Sequence, residues 1–147
     1  MTPKLFLYIA GVILLALGIF GFIFPDPFGD TSVLQLDNWQ NAIHVILGVV
    51  AIGAAYMFGR RLHWWLTAIY GLAALVTAGA AFLLRGEAAP NIGGANLENP
   101  VETIFYLAVG LWAAVVAVYY WRDMRMKPGM VEEEAREPEE PSVRKAA

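Results

Sequence analysis

Four stretches of the chain stay apolar for about a membrane's width: Leu5 to Phe24, Trp39 to Phe58, Trp64 to Leu84 and Val101 to Trp121. A hydrocarbon core of about 30 Å takes about 20 residues at the helical rise, so each stretch predicts one transmembrane helix. None contains Lys, Arg or Asp, and the acidic and imidazole side chains with a claim to lie inside are Glu102 and His44. A helix of a soluble core is apolar along one stripe only, whereas these are apolar all round. The first stretch is long for a signal peptide's apolar region and runs into Phe24-Pro25-Asp26-Pro27 rather than a small-residue cleavage site, so it reads as a retained span. The expected fold class is all-α, a polytopic four-helix membrane domain over residues 1–127.

Charge gives these helices a direction. Lys4 precedes the first span, Arg60, Arg61 and His63 fill the turn between the second and third, and Arg122, Arg125 and Lys127 follow the fourth. The other two connections carry Asp26, Asp30, Asp37, Glu87 and Glu98 against Arg85 alone. By the positive-inside rule both termini are cytoplasmic. Trp64 and Trp65, and Tyr119, Tyr120 and Trp121, stand beside the basic segments as an interfacial aromatic belt requires.

Composition agrees, with 59% apolar and 16% charged residues against about 25% charged in soluble domains. The net charge of -3 is concentrated at the end, where Glu132, Glu133, Glu134, Glu137, Glu139 and Glu140 lie among Pro138 and Pro141. Such a segment buries too little apolar surface to order itself, so 128–147 is expected to be a disordered cytoplasmic tail. No basic face suits nucleic acid. The absence of cysteine excludes disulfides, thiolate metal sites and thiol redox chemistry.

A shift of 62 residues lays Asp37 to Gly48 over Asn99 to Gly110, aligning polar starts, His44 with Tyr106, and Gly48 with Gly110. The first and third spans match loosely at a similar shift, for instance Tyr8 with Tyr70. Each half contributes two spans, so the halves share one membrane direction, and the expected body is two tandem hairpins in a parallel repeat. Small residues must let such helices approach closely, because lipid provides no hydrophobic drive between them. Ala51 and Ala55, the series Ala73, Thr77 and Ala81, Gly110 and Ala114, and Gly11 and Gly18 supply them. Gly93-Gly94 lacks the Lys and Ser/Thr of a phosphate loop and reads as a turn.

Asn41, His44 and Gly48 share a helix face by their spacing, and their counterparts are Thr103, Tyr106 and Gly110. If the halves face each other, His44 meets Tyr106 about 10 Å below the outer helix start. A membrane-embedded imidazole is a functional candidate by default, yet an interhelical hydrogen bond worth roughly 0.6 kcal/mol explains it as well, and that bland reading is preferred. Glu102 follows Asn99-Pro100-Val101, a capped helix start, so its capping role is preferred over proton transfer. The candidate cluster is Asn41, His44, Glu102, Thr103 and Tyr106, with Gly48, Gly110 and Ala114 as packing positions. No catalytic residue, metal site or cofactor is expected, since a haem or shared metal would need two copies of His44 in a dimer.

The Asn41-x-x-His44-x-x-x-Gly48 stretch after an acidic loop resembles an uncharacterised bacterial family of small four-helix membrane proteins, a domain of unknown function. The resemblance covers roughly the first 125 residues and implies a bacterial inner-membrane location without an activity; Tyr106 stands where a further histidine would strengthen it. A looser similarity to the DoxX-like four-helix proteins, some linked to quinone chemistry, implies a quinone- or proton-linked redox accessory subunit as the alternative. The expectation is a non-enzymatic accessory or structural membrane component whose partners are the bilayer and a second copy or another membrane protein. A channel or transporter is less favoured, because no proline breaks a span and no polar path crosses one.

Overall fold

The structure, a computed structural model, describes residues 1–25, 37–84, 91–92, 95–96 and 100–126. The expected tail and the side chain of Glu102 lie outside the described residues. Four helices carry the fold: α1 (Pro3–Ile23), α2 (Asn38–Met57), α3 (Arg60–Leu83) and α4 (Pro100–Met126). All four are long and apolar enough to cross a membrane. Before α4, β1 (Asn91–Ile92) and β2 (Ala95–Asn96) form a two-residue antiparallel ladder, and the turn expected at Gly93-Gly94 lies outside the described residues.

Local chemistry sets the helix starts. Thr2 Oγ1 accepts from Leu5 N at 3.3 Å with Pro3 in the first turn, and Asp37 Oδ1 accepts from Gln40 N at 2.7 Å. Each side chain satisfies one amide that the first turn leaves without a partner. At the tight turn between α2 and α3, Gly59 caps through its backbone, its carbonyl accepting from Leu62 N and His63 N.

Two boundaries differ from the sequence reading. Helix α3 begins at Arg60, not Trp64, so Arg60, Arg61 and His63 lie in its first turn and the connection shrinks to Phe58-Gly59. Helix α4 continues to Met126 instead of ending at Trp121. Hydropathy reports where the side chains leave lipid, whereas a helix bonds its own backbone and runs on into the headgroups. The extension of α4 is supported by Arg125, whose guanidinium carbon sits 3.9 Å from the Trp121 ring centroid.

Helix α1 packs chiefly on α2 and α3 on α4, and α1 against α3 is the main bridge between the two hairpins. The buried side chains are mostly small, while Ile46, Val49, Ile69, Leu72, Val76, Leu111 and Val115 point outward. Small residues inside and large apolar ones outside is the arrangement lipid selects. Phe6 and Leu7 form the bulky exception, packed with Ala10, Ala51, Ala55, Ala113 and Val116. The Phe6 ring meets Trp112 edge to face at 4.7 Å.

The hairpins close on glycines. A Cβ at Gly48 would stand 2.7 Å from Leu15 N and 2.8 Å from Gly11 O, so backbone touches backbone there. A Cβ at Gly110 would stand 2.6 Å from Leu75 Cγ, and one at Gly71 2.6 Å from Ala113 Cβ. Ala114 is half-buried and brings its backbone to the same crossing.

Burial follows a pattern that the sequence comparison only partly found. The buried residues of α3 are His63, Thr67, Gly71, Ala74, Ala78 and Ala81, each 60 residues after a buried residue of α1: Pro3, Leu7, Gly11, Leu14, Gly18 and Gly21. In α4, Gly110, Ala113, Val116 and Ala117 are buried, each 62 residues after Gly48, Ala51, Ala54 and Ala55 of α2. The contact stripe of α3 is thus not Ala73, Thr77 and Ala81, of which Ala73 is exposed and Thr77 half-buried. Tyr8 and Tyr70 are not equivalent either: Tyr8 is exposed against Tyr56, and Tyr70 donates its hydroxyl to Leu47 O at 2.7 Å.

Candidate functional site

Helices α2 and α4 bring a polar group together at the end of the bundle far from the α2–α3 turn. Gln40, Asn41 and His44 lie on one face of α2, with 2%, 0% and 5% of their surfaces exposed, so they turn into the bundle and away from lipid. From α4, Tyr106 crosses to meet them. Gln40 Nε2 donates to the Tyr106 hydroxyl at 3.1 Å, and His44 Nε2 lies 3.1 Å from the same oxygen. The His44 and Tyr106 rings are tilted by 41° with centroids 6.2 Å apart, which is an edge-on hydrogen-bonding approach and not a stack. Asn41 is accommodated because α1 is glycine opposite it: any Cβ at Gly21 would overlap its amide group, and one at Gly18 would press on its carbonyl.

Of the residues the sequence suggested, His44 and Tyr106 are joined, Asn41 is buried one turn above His44, and Thr103 is half-buried one turn above Tyr106. Glu102 is helical, in the first turn of α4, and its side chain lies outside the described residues. The sequence reading does not single out Gln40. Its four-residue spacing from His44 puts the two on one face, and that signal could have found it.

The cluster holds more hydrogen-bonding capacity than it uses. Among the described residues, Gln40 Oε1 and His44 Nδ1 are buried and meet no partner. If the phenol donates to His44 Nε2, the neutral ring carries its proton on Nδ1, so the spare groups are an acceptor and a donor. Chemically the group can hold a small polar moiety through one bond of each kind. It does not resemble a metal centre, and no group of three His, Cys, Asp or Glu that could hold a metal occurs among the described residues.

The end at the α2–α3 turn is built differently. His63 Nε2 lies 3.0 Å from Ala54 O, Trp64 Nε1 donates to Ala117 O at 2.9 Å, and the Thr67 hydroxyl donates to Pro3 O at 3.4 Å. Each of these side chains fastens α3 to the backbone of a different helix. His63, which the sequence places in the turn, is buried, and its ring reaches back to the Ala54 carbonyl, which also accepts from Phe58 N at 3.3 Å.

Together these features define a four-helix membrane protein with a hydrogen-bonded cluster at one end and side-chain-to-backbone fasteners at the other. No protein-family model, curated protein or solved structure matches the chain.

Proposed function

We propose that the chain is a non-enzymatic accessory or structural component of the bacterial inner membrane, with both termini cytoplasmic, that assembles with a second copy or with another membrane protein. The observation that carries this reading is the interior between the two polar ends. There the hairpins close through Gly11, Gly48, Gly71 and Gly110. Acidic and basic side chains are absent from the described interior, and His44 and His63 sit near opposite ends of it. An ion-coupled carrier or channel needs polar groups through the midplane, and a hydrolytic enzyme needs a nucleophile with its base.

The same reading includes a parallel repeat of two hairpins, supported by the burial pattern that recurs at 60 and 62 residues. It also includes membership of the four-helix family to which the Asn41-x-x-His44-x-x-x-Gly48 stretch points. Extraction of the full-length tagged protein in mild detergent tests it. The expected result is an oligomer or a stoichiometric membrane partner that survives His44→Ala. A lone monomer, or a turnover that His44→Ala abolishes, would contradict it.

One observation favours the alternative of a quinone- or proton-linked redox accessory subunit, namely the spare acceptor and donor at Gln40 Oε1 and His44 Nδ1. Under that reading His44→Ala changes cellular redox behaviour at unchanged folded yield, whereas a lost fold with no other effect returns the cluster to a packing role.

A further inference from the structure

Two adjoining grooves open on the basic end of the bundle. The first, about 370 Å³, is lined by Thr2, Pro3 and Lys4 of the α1 start, by Phe58, Gly59, Arg60 and His63 around the α2–α3 turn, and by Tyr120 of α4. The second, also about 370 Å³, lies between the start of α3 and the end of α4, lined by Arg60, Arg61, Trp64, Trp65, Tyr120, Trp121 and Met124. Arg60 and Tyr120 belong to both and form the wall between them. Each groove therefore has a cation of its own, Lys4 in the first and Arg61 in the second, with the Arg60 guanidinium shared.

From this geometry we infer that the paired grooves bind an anionic phospholipid carrying two phosphodiesters, one seated in each groove against the shared Arg60. Charge complementarity identifies the headgroup. Three cations converge on the pair of grooves, and basic pockets between transmembrane helices are suited to phosphate headgroups. The starts of α1 and α3 open at the first groove, and the positive ends of their dipoles add to the attraction for an anion. The walls identify a lipid as the source of the phosphate: Trp64, Trp65 and Trp121 place the grooves at the level of the interfacial belt, where acyl chains continue along the exposed apolar faces of α3 and α4. A guanidinium suits a shared position because its planar fork presents donors in several directions, which a lysine ammonium on a flexible stem does less well. This inference is independent of the outer cluster and of any accessory role.

The test is lipid titration of the full-length protein in mild detergent, read by native mass spectrometry. The probes are diphosphatidylglycerol, phosphatidylglycerol, phosphatidylcholine and free glycerol phosphate. Binding is expected to fall in the order written, with free glycerol phosphate failing to displace bound lipid. Arg61→Gln and Lys4→Gln change exposed side chains, so folding is preserved, and these two and Arg60→Gln each weaken diphosphatidylglycerol about fivefold, the factor given by about 1 kcal/mol per basic residue. Arg122→Gln, which removes the same charge outside both grooves, leaves binding unchanged. Equal affinity for one and two phosphates would overturn the paired site. Equal affinity for phosphatidylcholine, displacement by glycerol phosphate, or equal weakening by Arg122→Gln would overturn lipid recognition by these residues altogether.

Discussion

The two hairpins share a pattern of burial and divide the polar chemistry between them. Among the described residues of the α1–α2 hairpin the buried polar side chains are Gln40, Asn41 and His44, all at the end far from the α2–α3 turn. In the α3–α4 hairpin they are His63 and Thr67, at the end beside that turn. Where one half has His63 the other has Pro3, and where one has Thr67 the other has Leu7. Small residues at the crossings are a shared requirement of packing in lipid, whereas each polar group has to find its own partner, and the two halves solved that separately.

The crossings themselves separate the hairpins most sharply. Gly48 faces the backbone of Leu15, which cannot give way, while Gly110 faces first the branched end of Leu75, which can rotate. Gly48→Ala should therefore cost about 3 kcal/mol and Gly110→Ala about 1 kcal/mol, within the range for overpacking. Thermal unfolding in detergent, followed by size-exclusion chromatography, measures both. Equal losses would erase the difference claimed between the crossings.

The polar ends should differ next. His63→Leu removes one of the two donors to the Ala54 carbonyl, which keeps Phe58 N, and is expected to lose about 1 kcal/mol, the ordinary net worth of a hydrogen bond. A double-mutant cycle of His44→Leu with Tyr106→Phe should show a coupling of only about 0.6 kcal/mol, because Gln40 remains a partner for the hydroxyl. A coupling several times larger would make the His44–Tyr106 cluster a structural lock like the one at the α2–α3 turn.

The smallest effect is expected at Gly53, where a Cβ meets nothing within 4 Å. Gly53→Ala should be neutral or raise stability by up to about 1 kcal/mol through helix propensity. A loss there, measured by the same unfolding assay, would mean that this face is covered by another protein.

How far the sequence could be read depended on the physical signal involved. Hydropathy located all four helices because lipid acts on whole segments, and the positions of Asp37 and Pro100 marked two helix starts within a residue or so. The contact face of α3 was not legible from a strict four-residue step. At about 100° per residue such a step drifts about 40° round the helix, so the series Ala73, Thr77, Ala81 meets the seam only at Ala81, while Gly71, Ala74, Ala78 and Ala81 mix threes and fours and stay on it. The pairing of His44 with Tyr106 was accessible because both sit 62 residues apart in helices with matching starts. The match of α1 with α3 was obscured by a two-residue difference between the α1–α2 and α3–α4 connections, which moved its shift to 60. Buried His63 could not be foreseen among arginines, since only the turn's tightness carries it under the end of α2.

All of this rests on α1 to α4 crossing a bilayer, with the α2–α3 turn and the β1–β2 ladder on opposite sides of it. The absence of native cysteine allows a direct measurement. Gly59→Cys and Ala95→Cys are introduced singly and exposed to a membrane-impermeant thiol reagent in intact spheroplasts and again after permeabilisation. The Ala95→Cys variant is expected to label at once, and the Gly59→Cys variant only after permeabilisation. Labelling of both variants in intact spheroplasts would contradict the four-span arrangement.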